Sequence, residues 1–193
     1  MPNAEPQDVL NRGIVTAEEI QQILREAKIP PLIAVQLSHI LVTDGSGQTA
    51  DFPIGYACTG YTKTRYCWYR WAVAGGQTAG TNNDAERWGV LAGIDRVLRL
   101  TALYEVKSAV HVAVISDSTY TVQSIRDRSS KTSVGWGIIT EAIRRGVFVT
   151  AYHVGRAILP GNIHADAAAG AFRKLVVTVT APSTPPKSEV TAP

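Results

Sequence analysis

The alternation of apolar and polar positions predicts five strands. Three segments in the first half of the chain are rich in β-branched and aromatic residues and are joined by short polar links, which favours consecutive antiparallel strands at 33–45, 52–61 and 65–75. The segment 109–116 (AVHVAVIS) is apolar throughout, as is typical of a strand covered on both faces. It therefore predicts the centre of a sheet, with a fifth strand at 147–154.

Helical spacing separates these strands. A long helix is predicted over 83–103, a short helix from Ser118, a second helical stretch over 135–146 and a last helix from about Ile163. The element order is therefore βββαβααβα. This order predicts an α/β fold with a mixed five-stranded sheet and helices on both faces.

The long helix carries a carboxylate on its apolar stripe. Val90, Gly93, Val97 and Leu100 follow the three-and-four spacing of a core-facing side, and Glu86 begins the same stripe. Burying a carboxylate costs several kcal/mol unless something pairs with it. The pattern therefore raises the question of what neutralises Glu86.

The two ends of the chain differ from the middle. Residues 1–31 form an extension with one short appended helix, because Thr16 and Glu19 have the spacing of a capping box. Residues 176–193 are rich in Pro, Ser and Thr, which predicts a disordered tail. One folded domain is expected between them, over 32–175.

Composition narrows the class of protein. The chain has 193 residues, 45% of them hydrophobic, which suits one domain with a full core. It has no apolar run long enough to span a membrane and no signal-peptide pattern, so we expect a cytoplasmic protein with no membrane partner. Cys58 and Cys67 are expected to be free, buried thiols. A mild basic excess in residues 32–174 fits a polyanionic partner, but many ordinary domains share it.

Four acidic residues fall at the ends of predicted elements. Asp44 ends the first strand, Glu86 opens the long helix, Asp117 ends the central strand, and Asp166 lies near the start of the last helix. If the first and fourth strands are parallel neighbours, Asp44 and Asp117 lie side by side at their carboxyl edge. Clustered carboxylates raise one another's pKa unless cations neutralise them, and hard oxygen ligands suit Mg²⁺ or Mn²⁺. Taken singly, each residue also fits a turn, a helix cap or a helix-dipole partner.

In four motifs the chain resembles the ribonuclease H family, and it is most similar to the branch that has arginine in place of the usual loop histidine. The resemblance runs from about residue 33 to residue 175. It rests on TDGS with Asp44, TNNDAE with Glu86, SDSTY with Asp117 and PGNIHAD with Asp166.

The resemblance implies a metal-dependent endonuclease that cuts the RNA strand of RNA–DNA hybrids. It implies that Asp44, Glu86, Asp117 and Asp166 are the catalytic residues and the ligands of two Mg²⁺ ions, with Mn²⁺ as a substitute and no small-molecule cofactor. Asp44 is expected to bridge the ions, with Glu86 and Asp117 completing one site and Asp166 binding the second ion. In this mechanism a metal-activated water attacks the scissile phosphate in line.

The resemblance also implies a set of substrate-binding residues: Gly45, Ser46, Thr81, Asn82, Asn83, Ser118, Arg156 and Asn162. Ordinary roles remain open for several of them. Helix caps also fit Thr81, Asn82, Asn83 and Asn162. Gly45 and Ser46 also fit turn residues, and Arg156 also fits a solvated loop.

The family's long basic protrusion is replaced here by a short segment. Arg126, Arg128 and Lys131 are expected to be solvated, and Trp136 is expected to pack in the core. The aromatic stretch RYCWYRWAV is interpreted as sheet packing rather than base stacking. Two other functions are carried forward: a DNA- or structure-selective nuclease or strand transferase of the same fold, and a catalytically silent nucleic-acid-binding module.

Overall fold

The computed structural model describes residues 7–8, 13–48, 52–103, 109–127 and 136–180. Its strands are β1 (Gln7–Asp8), β2 (Gly13–Val15), β3 (His39–Ser46), β4 (Phe52–Lys63), β5 (Trp68–Gly80), β6 (Val110–Ser116) and β7 (Val147–His153). Its helices are α1 (Ala17–Glu26), α2 (Pro31–Ala34), α3 (Asn82–Leu103), α4 (Thr119–Asp127), α5 (Gly137–Arg144) and α6 (Pro160–Thr180).

The strands form one mixed sheet in the order β1-β5-β4-β3-β6-β7, and β2 also pairs with β5. Strands β3, β4 and β5 are antiparallel neighbours, whereas β3 pairs with β6 and β6 with β7 in parallel. The predicted α/β class, the five main strands and their order along the chain are confirmed. The two short N-terminal strands were not predicted, because two or three residues carry no readable alternation.

Element boundaries differ from the predictions at three main places. The strand predicted over 65–75 is β5, which runs from Trp68 to Gly80. Residues 31–34 form one helical turn instead of the start of a strand, which suits proline in the first turn of a helix. The last helix begins at Pro160 and extends to Thr180, past the predicted tail boundary at 176. Val176 is buried, so packing supplies the order that composition did not indicate. The rest of the predicted tail, 181–193, lies outside the described residues.

Helices cover both faces of the sheet. On one face, α3 and α5 pack on β3, β4, β6 and β7 through residues such as Leu41, Val90, Val97, Val114 and Ile139. On the other face, α6 lies over β4 and β5 through small side chains of the cluster Ala57, Ala74, Ala165 and Ala169. None of the helices in the described ranges has the length and apolarity needed to cross a membrane.

The predicted N-terminal helix is present as α1 and packs into this second face. Its Ile20 and Ile23 are 4% and 1% exposed and belong to the same apolar cluster as Ile40 and Ile115 of the central strands. Its cap is the predicted one, because the backbone N–H of Glu19 donates to Thr16 Oγ1 at 3.2 Å. α1 is therefore part of the core of the sheet.

Polar contacts also attach α1 to the sheet. Glu19 Oε1 accepts a hydrogen bond from the Tyr61 hydroxyl at 3.2 Å and lies 3.5 Å from Arg70 Nη1. Tyr61 is on β4 and Arg70 on β5. Helix α1 is thus attached to two strands by polar as well as apolar contacts.

The aromatic stretch and the cysteines lie largely as expected. Trp71 is buried in the core with its indole N–H donating to Thr62 Oγ1, and Trp136 is buried on the α3 face, whereas Tyr66 is 87% exposed. Cys58 and Cys67 are both free, but only Cys58 is buried. The prediction of a buried thiol at Cys67 is wrong because it lies in the exposed β4–β5 turn. Arg128 and Lys131 lie outside the described residues.

Buried His39 predicts an acid-sensitive contribution to stability. Its ring is 3% exposed, with Nδ1 3.0 Å from Thr62 Oγ1, and burial lowers its pKa from 6.5 to about 4. The unfolded chain takes up this proton near pH 6.5 and the folded chain only near pH 4. The free energy of unfolding therefore has its full value above pH 6.5. It falls by about 3 kcal/mol as the pH drops to 4, because the unfolded chain binds the His39 proton first.

Chemical denaturation of native protein and His39→Gln at several pH values measures this contribution. The difference in unfolding free energy between the two should shrink between pH 6.5 and 4. Parallel pH curves would show that the histidine does not have this role.

Candidate active site

Three carboxylates meet at the carboxyl edge of the central strands. Asp44 lies near the end of β3 and Asp117 directly follows β6, and the parallel pairing of Thr43 with Ser116 makes them neighbours. Glu86 lies in the first turns of α3. One oxygen from each of the three lies within 4.8 Å of the others. The structure thus brings together three of the four predicted ligands.

Gly45 allows this close approach of helix and strand. A Cβ atom at this position would overlap the backbone of Ala85 and Glu86. The absence of a side chain therefore lets α3 lie directly against the end of β3. Glycine in the predicted TDGS motif has a packing role here, and the backbone N–H of Gly45 also donates to Asp44 Oδ1 at 2.8 Å.

The three carboxyl groups share an unfavourable environment when ionised. Burial, followed by the charge of Asp117, raises the pKa of Asp44 to about 7. Burial, followed by the charge of Asp44, raises the pKa of Glu86 to about 9. Burial also raises the pKa of Asp117. Such shifts are typical of a site that lacks a compensating positive charge.

Two carboxylate oxygens in this cluster lack hydrogen-bond partners. Asp44 Oδ2 and Glu86 Oε2 are both buried and unpaired, and no Lys, Arg or His in the described ranges forms an ion pair with either residue. Unpaired buried oxygens and mutual repulsion are what a hard divalent cation would relieve. The donor set therefore fits Mg²⁺ or Mn²⁺, and such an ion would neutralise Glu86.

Asp166 stands apart from the other three acids. Its side chain is 53% exposed, and Oδ1 lies 3.6 Å from Arg156 Nη2, on a side chain that is 80% exposed. The Arg156 charge also acts to lower the pKa of Asp44 and Asp117. Arg156 thus lies over the acidic cluster. The role of Asp166 as a fourth metal ligand stays a prediction.

Asn162 supports the loop that carries Arg156. It is 1% exposed, and its Oδ1 accepts a hydrogen bond from the backbone N–H of Ala157 at 2.9 Å. Ala157 has a φ of 56°, a left-handed conformation that non-glycine residues rarely adopt. The predicted contact of Asn162 with substrate is untested, and its observed contact is with this loop rather than with a helix end.

The residues predicted at the start of α3 divide into a cap and two free side chains. The Thr81 hydroxyl accepts from the Asp84 backbone N–H at 3.3 Å, and the Thr81 backbone N–H donates to Asp84 Oδ2 at 2.8 Å. Helix capping was the alternative left open for Thr81, and the T-x-x-D spacing forms this reciprocal cap. Asn82 and Asn83 are exposed beside it, which leaves their amides accessible to a ligand.

The serines have different surroundings. Ser118 Oγ accepts from the Thr121 backbone N–H at 3.2 Å and so caps α4, while half-buried Ser46 ends β3, two residues beyond Asp44. The predicted substrate contacts of both stay predictions. His153 ends β7, and its Nε2 lies 3.2 Å from the Asp117 carbonyl oxygen, so it contacts the backbone of the site.

Comparison with known proteins identifies the fold. No protein-family model matches the chain, and no curated protein is significantly similar to it. Among solved structures, the N-terminal RNase H domain of a Mycobacterium tuberculosis protein is 22% identical, with a TM-score of 0.56; the match covers 75% of this chain and 99% of that chain.

Two further structures show the same likeness. LC11-RNase H1, isolated from compost and solved with an RNA/DNA hybrid, is 16% identical with a TM-score of 0.57, covering 72% of this chain and 99% of its own. Foamy viral protease-reverse transcriptase, solved with dsDNA, is 17% identical with a TM-score of 0.52. The match covers 76% of this chain and 99% of that chain. At these identities the likeness shows the architecture, and this chain has a ribonuclease H-like fold.

Proposed function

We propose that the chain is a metal-dependent endonuclease that hydrolyses the RNA strand of RNA–DNA hybrids. The observation that carries this proposal is the cluster of Asp44, Glu86 and Asp117, whose oxygens lie within 4.8 Å of one another at the edge of parallel strands. Two unpaired, buried oxygens in the cluster support a cation ligand. A purely structural cluster of this kind would destabilise the fold without compensation.

The choice of substrate rests on the fold and the motifs together. One structural neighbour, LC11-RNase H1, was solved with an RNA/DNA hybrid. The four motifs that resemble ribonuclease H lie on the elements where the resemblance predicts them, with Asp44 on β3, Glu86 on α3, Asp117 after β6 and Asp166 on α6. We assign the catalytic unit to residues 32–180, because α6 continues to Thr180, with α1 packed on it.

Each acidic residue has a role in this proposal. Asp44, Glu86 and Asp117 hold a divalent cation, and Asp166 contributes to a second cation at the exposed side of the cluster. Such cations supply Lewis-acid stabilisation of the charge that develops on a phosphodiester during hydrolysis, with Mg²⁺ preferred and Mn²⁺ as a substitute. The chain's own contribution is a fixed set of oxygens on rigid strand and helix ends.

The remaining polar residues contact and orient the substrate. Arg156 lies beside Asp166, where its guanidinium is placed to contact a phosphate. Asn162 holds the Arg156 loop through Ala157. The exposed amides of Asn82 and Asn83 face solvent at the start of α3, where they are accessible to base edges or sugars.

A panel of matched substrates tests the choice of nucleic acid. The native chain is incubated with Mg²⁺ and four end-labelled substrates of one sequence: the RNA–DNA hybrid, single-stranded RNA, duplex RNA and duplex DNA. Cleavage confined to the RNA strand of the hybrid is the expected result. Cleavage of duplex DNA would favour a DNA-selective nuclease, and binding of the hybrid without cleavage would favour a silent binding module.

A further inference from the structure

A basic groove lies next to the acidic site. It has a volume of about 390 Å³ and separates the end of β3 from the C-terminal half of α6. The groove is lined by Ser46, Gly170, Arg173, Lys174, Val177 and Thr178. Among the residues that the structure describes, no acidic side chain lines it.

One side of α6 carries both Asp166 and residues that line the groove. Asp166, Gly170, Arg173 and Val177 are spaced by four, three and four residues, so they lie along one side of the helix. On the opposite wall, Ser46 is two residues beyond Asp44. The floor at Gly170 is open, because a Cβ atom there would meet nothing within 4 Å. A ligand in the acidic site can therefore extend into the groove without a barrier at this position.

The two cations of the groove are held in different ways. Arg173 is half-buried, and its Nε donates to the Pro53 carbonyl oxygen at 3.2 Å, which fixes its guanidinium near the start of β4. Lys174 is exposed. Within the part of the chain that the structure describes, neither forms an ion pair. Both charges are therefore available to an anionic ligand.

We infer that this groove binds the phosphate backbone of the nucleic-acid substrate, away from the cleaved bond. This inference rests on the proposed function. Three clustered carboxylates, two of them buried, repel a polyanion, so binding energy must come from cations placed elsewhere. Phosphate contacts are what position a protein on a duplex.

The distance along α6 from Asp166 to Lys174 indicates how far the groove extends from the acidic site. Lys174 lies eight residues beyond Asp166 on α6, a rise of about 12 Å. A nucleic-acid strand that runs along α6 would span this distance in about three to four nucleotides. The groove therefore extends the substrate-binding surface to one side of the reaction centre.

The salt dependence of hybrid binding tests the groove. An RNA–DNA hybrid of about 20 base pairs is titrated with Mg²⁺ present, between about 50 and 200 mM salt, in an Asp117→Asn background that prevents cleavage. Adding Lys174→Gln should weaken binding about three- to tenfold and reduce the slope of log K against log salt by about 1. Lys174→Arg should keep the slope.

Lys63→Gln is the matched control. Lys63 is an exposed lysine at the far end of β4, 11 residues from Phe52 at the groove end of the strand, or about 37 Å away. Its replacement should leave both affinity and slope unchanged. Thermal unfolding of each variant checks that the fold is retained.

The possible outcomes separate this inference from the proposed function. Equal slopes with and without Lys174→Gln would overturn the groove while leaving hybrid cleavage by the native chain intact. A slope of log K against log salt that Lys174→Gln reduces, with a native chain that never cuts the hybrid, would support phosphate binding in the groove. The same result would overturn the proposed hydrolase activity. A chain that neither binds nor cuts the hybrid would overturn both.

Discussion

Asp44→Asn is expected to reduce hybrid cleavage by about 10³-fold or more, because it removes a carboxylate from the centre of the cluster. The same substitution should stabilise the fold in the absence of divalent metal. Burial and the Asp117 charge raise the pKa of Asp44 to about 7, so above that pH the folded chain carries a charge that the unfolded chain accommodates better in water. A residue kept for stability would behave in the opposite way.

The measurement combines a cleavage assay with thermal unfolding at pH 8. In chelator, the free energy of unfolding of Asp44→Asn should exceed that of the native chain by at least about 1 kcal/mol. Its melting temperature should be about 2–4 °C higher for a domain of this size. Mg²⁺ should raise the melting temperature of the native chain and leave that of the variant nearly unchanged.

Asp95→Asn provides the control for this experiment. Asp95 lies on α3, the helix that carries Glu86, and its exposed carboxylate pairs with Arg99. Cleavage and the Mg²⁺-induced shift should both survive this change. A variant Asp44→Asn that unfolds lower in chelator, or that still cuts the hybrid at the native rate, would contradict the assigned role.

Ile23→Ala is expected to destabilise the chain by about 2–5 kcal/mol, which lowers the melting temperature by about 5–15 °C. Ile23 is 1% exposed and packs from α1 into the cluster that contains Ile40 and Ile115. Removing its side chain leaves a cavity beneath the central strands. The experiment asks whether the N-terminal segment is part of the core or an attachment to it.

Ile14→Ala is the matched comparison. Ile14 lies on β2, nine residues earlier in the same segment, and is 76% exposed. The same change there should alter stability by about 0.5 kcal/mol or less. Similar melting temperatures for the native chain and Ile23→Ala would show that α1 is not packed as described.

The acidic site was predictable because its residues lie at the ends of strands and on the apolar stripe of a helix, which sequence patterns indicate. The apolar run 109–116 identified a strand covered on both faces, and parallel pairing with the first strand placed Asp44 beside Asp117. The prediction that this strand is the centre of the sheet is wrong, because β6 lies between β3 and the edge strand β7. The stripe of α3 then pointed Glu86 toward the sheet. Such regular patterns can be identified in a sequence directly. In the structure, one carboxylate oxygen from each of these three residues lies within 4.8 Å of the others.

Other parts of the site depend on contacts that have no local pattern. Asn162 bonds to a loop whose Ala157 adopts a left-handed conformation, and nothing near Ala157 indicates this. The short strands β1 and β2 form only because the edge of β5 is available for pairing. The groove beside Lys174 exists because the long α6 continues past the predicted end of the domain. Long-range packing decides each of these features.

The most direct test of the central claim is cleavage of an RNA–DNA hybrid by the native chain, with Mg²⁺ or with chelator, and each strand labelled in turn. The proposed chemistry predicts that the RNA strand alone is cut and that chelator stops the reaction. Cleavage that continues in chelator, or a hybrid that is bound and stays intact with Mg²⁺, would contradict it.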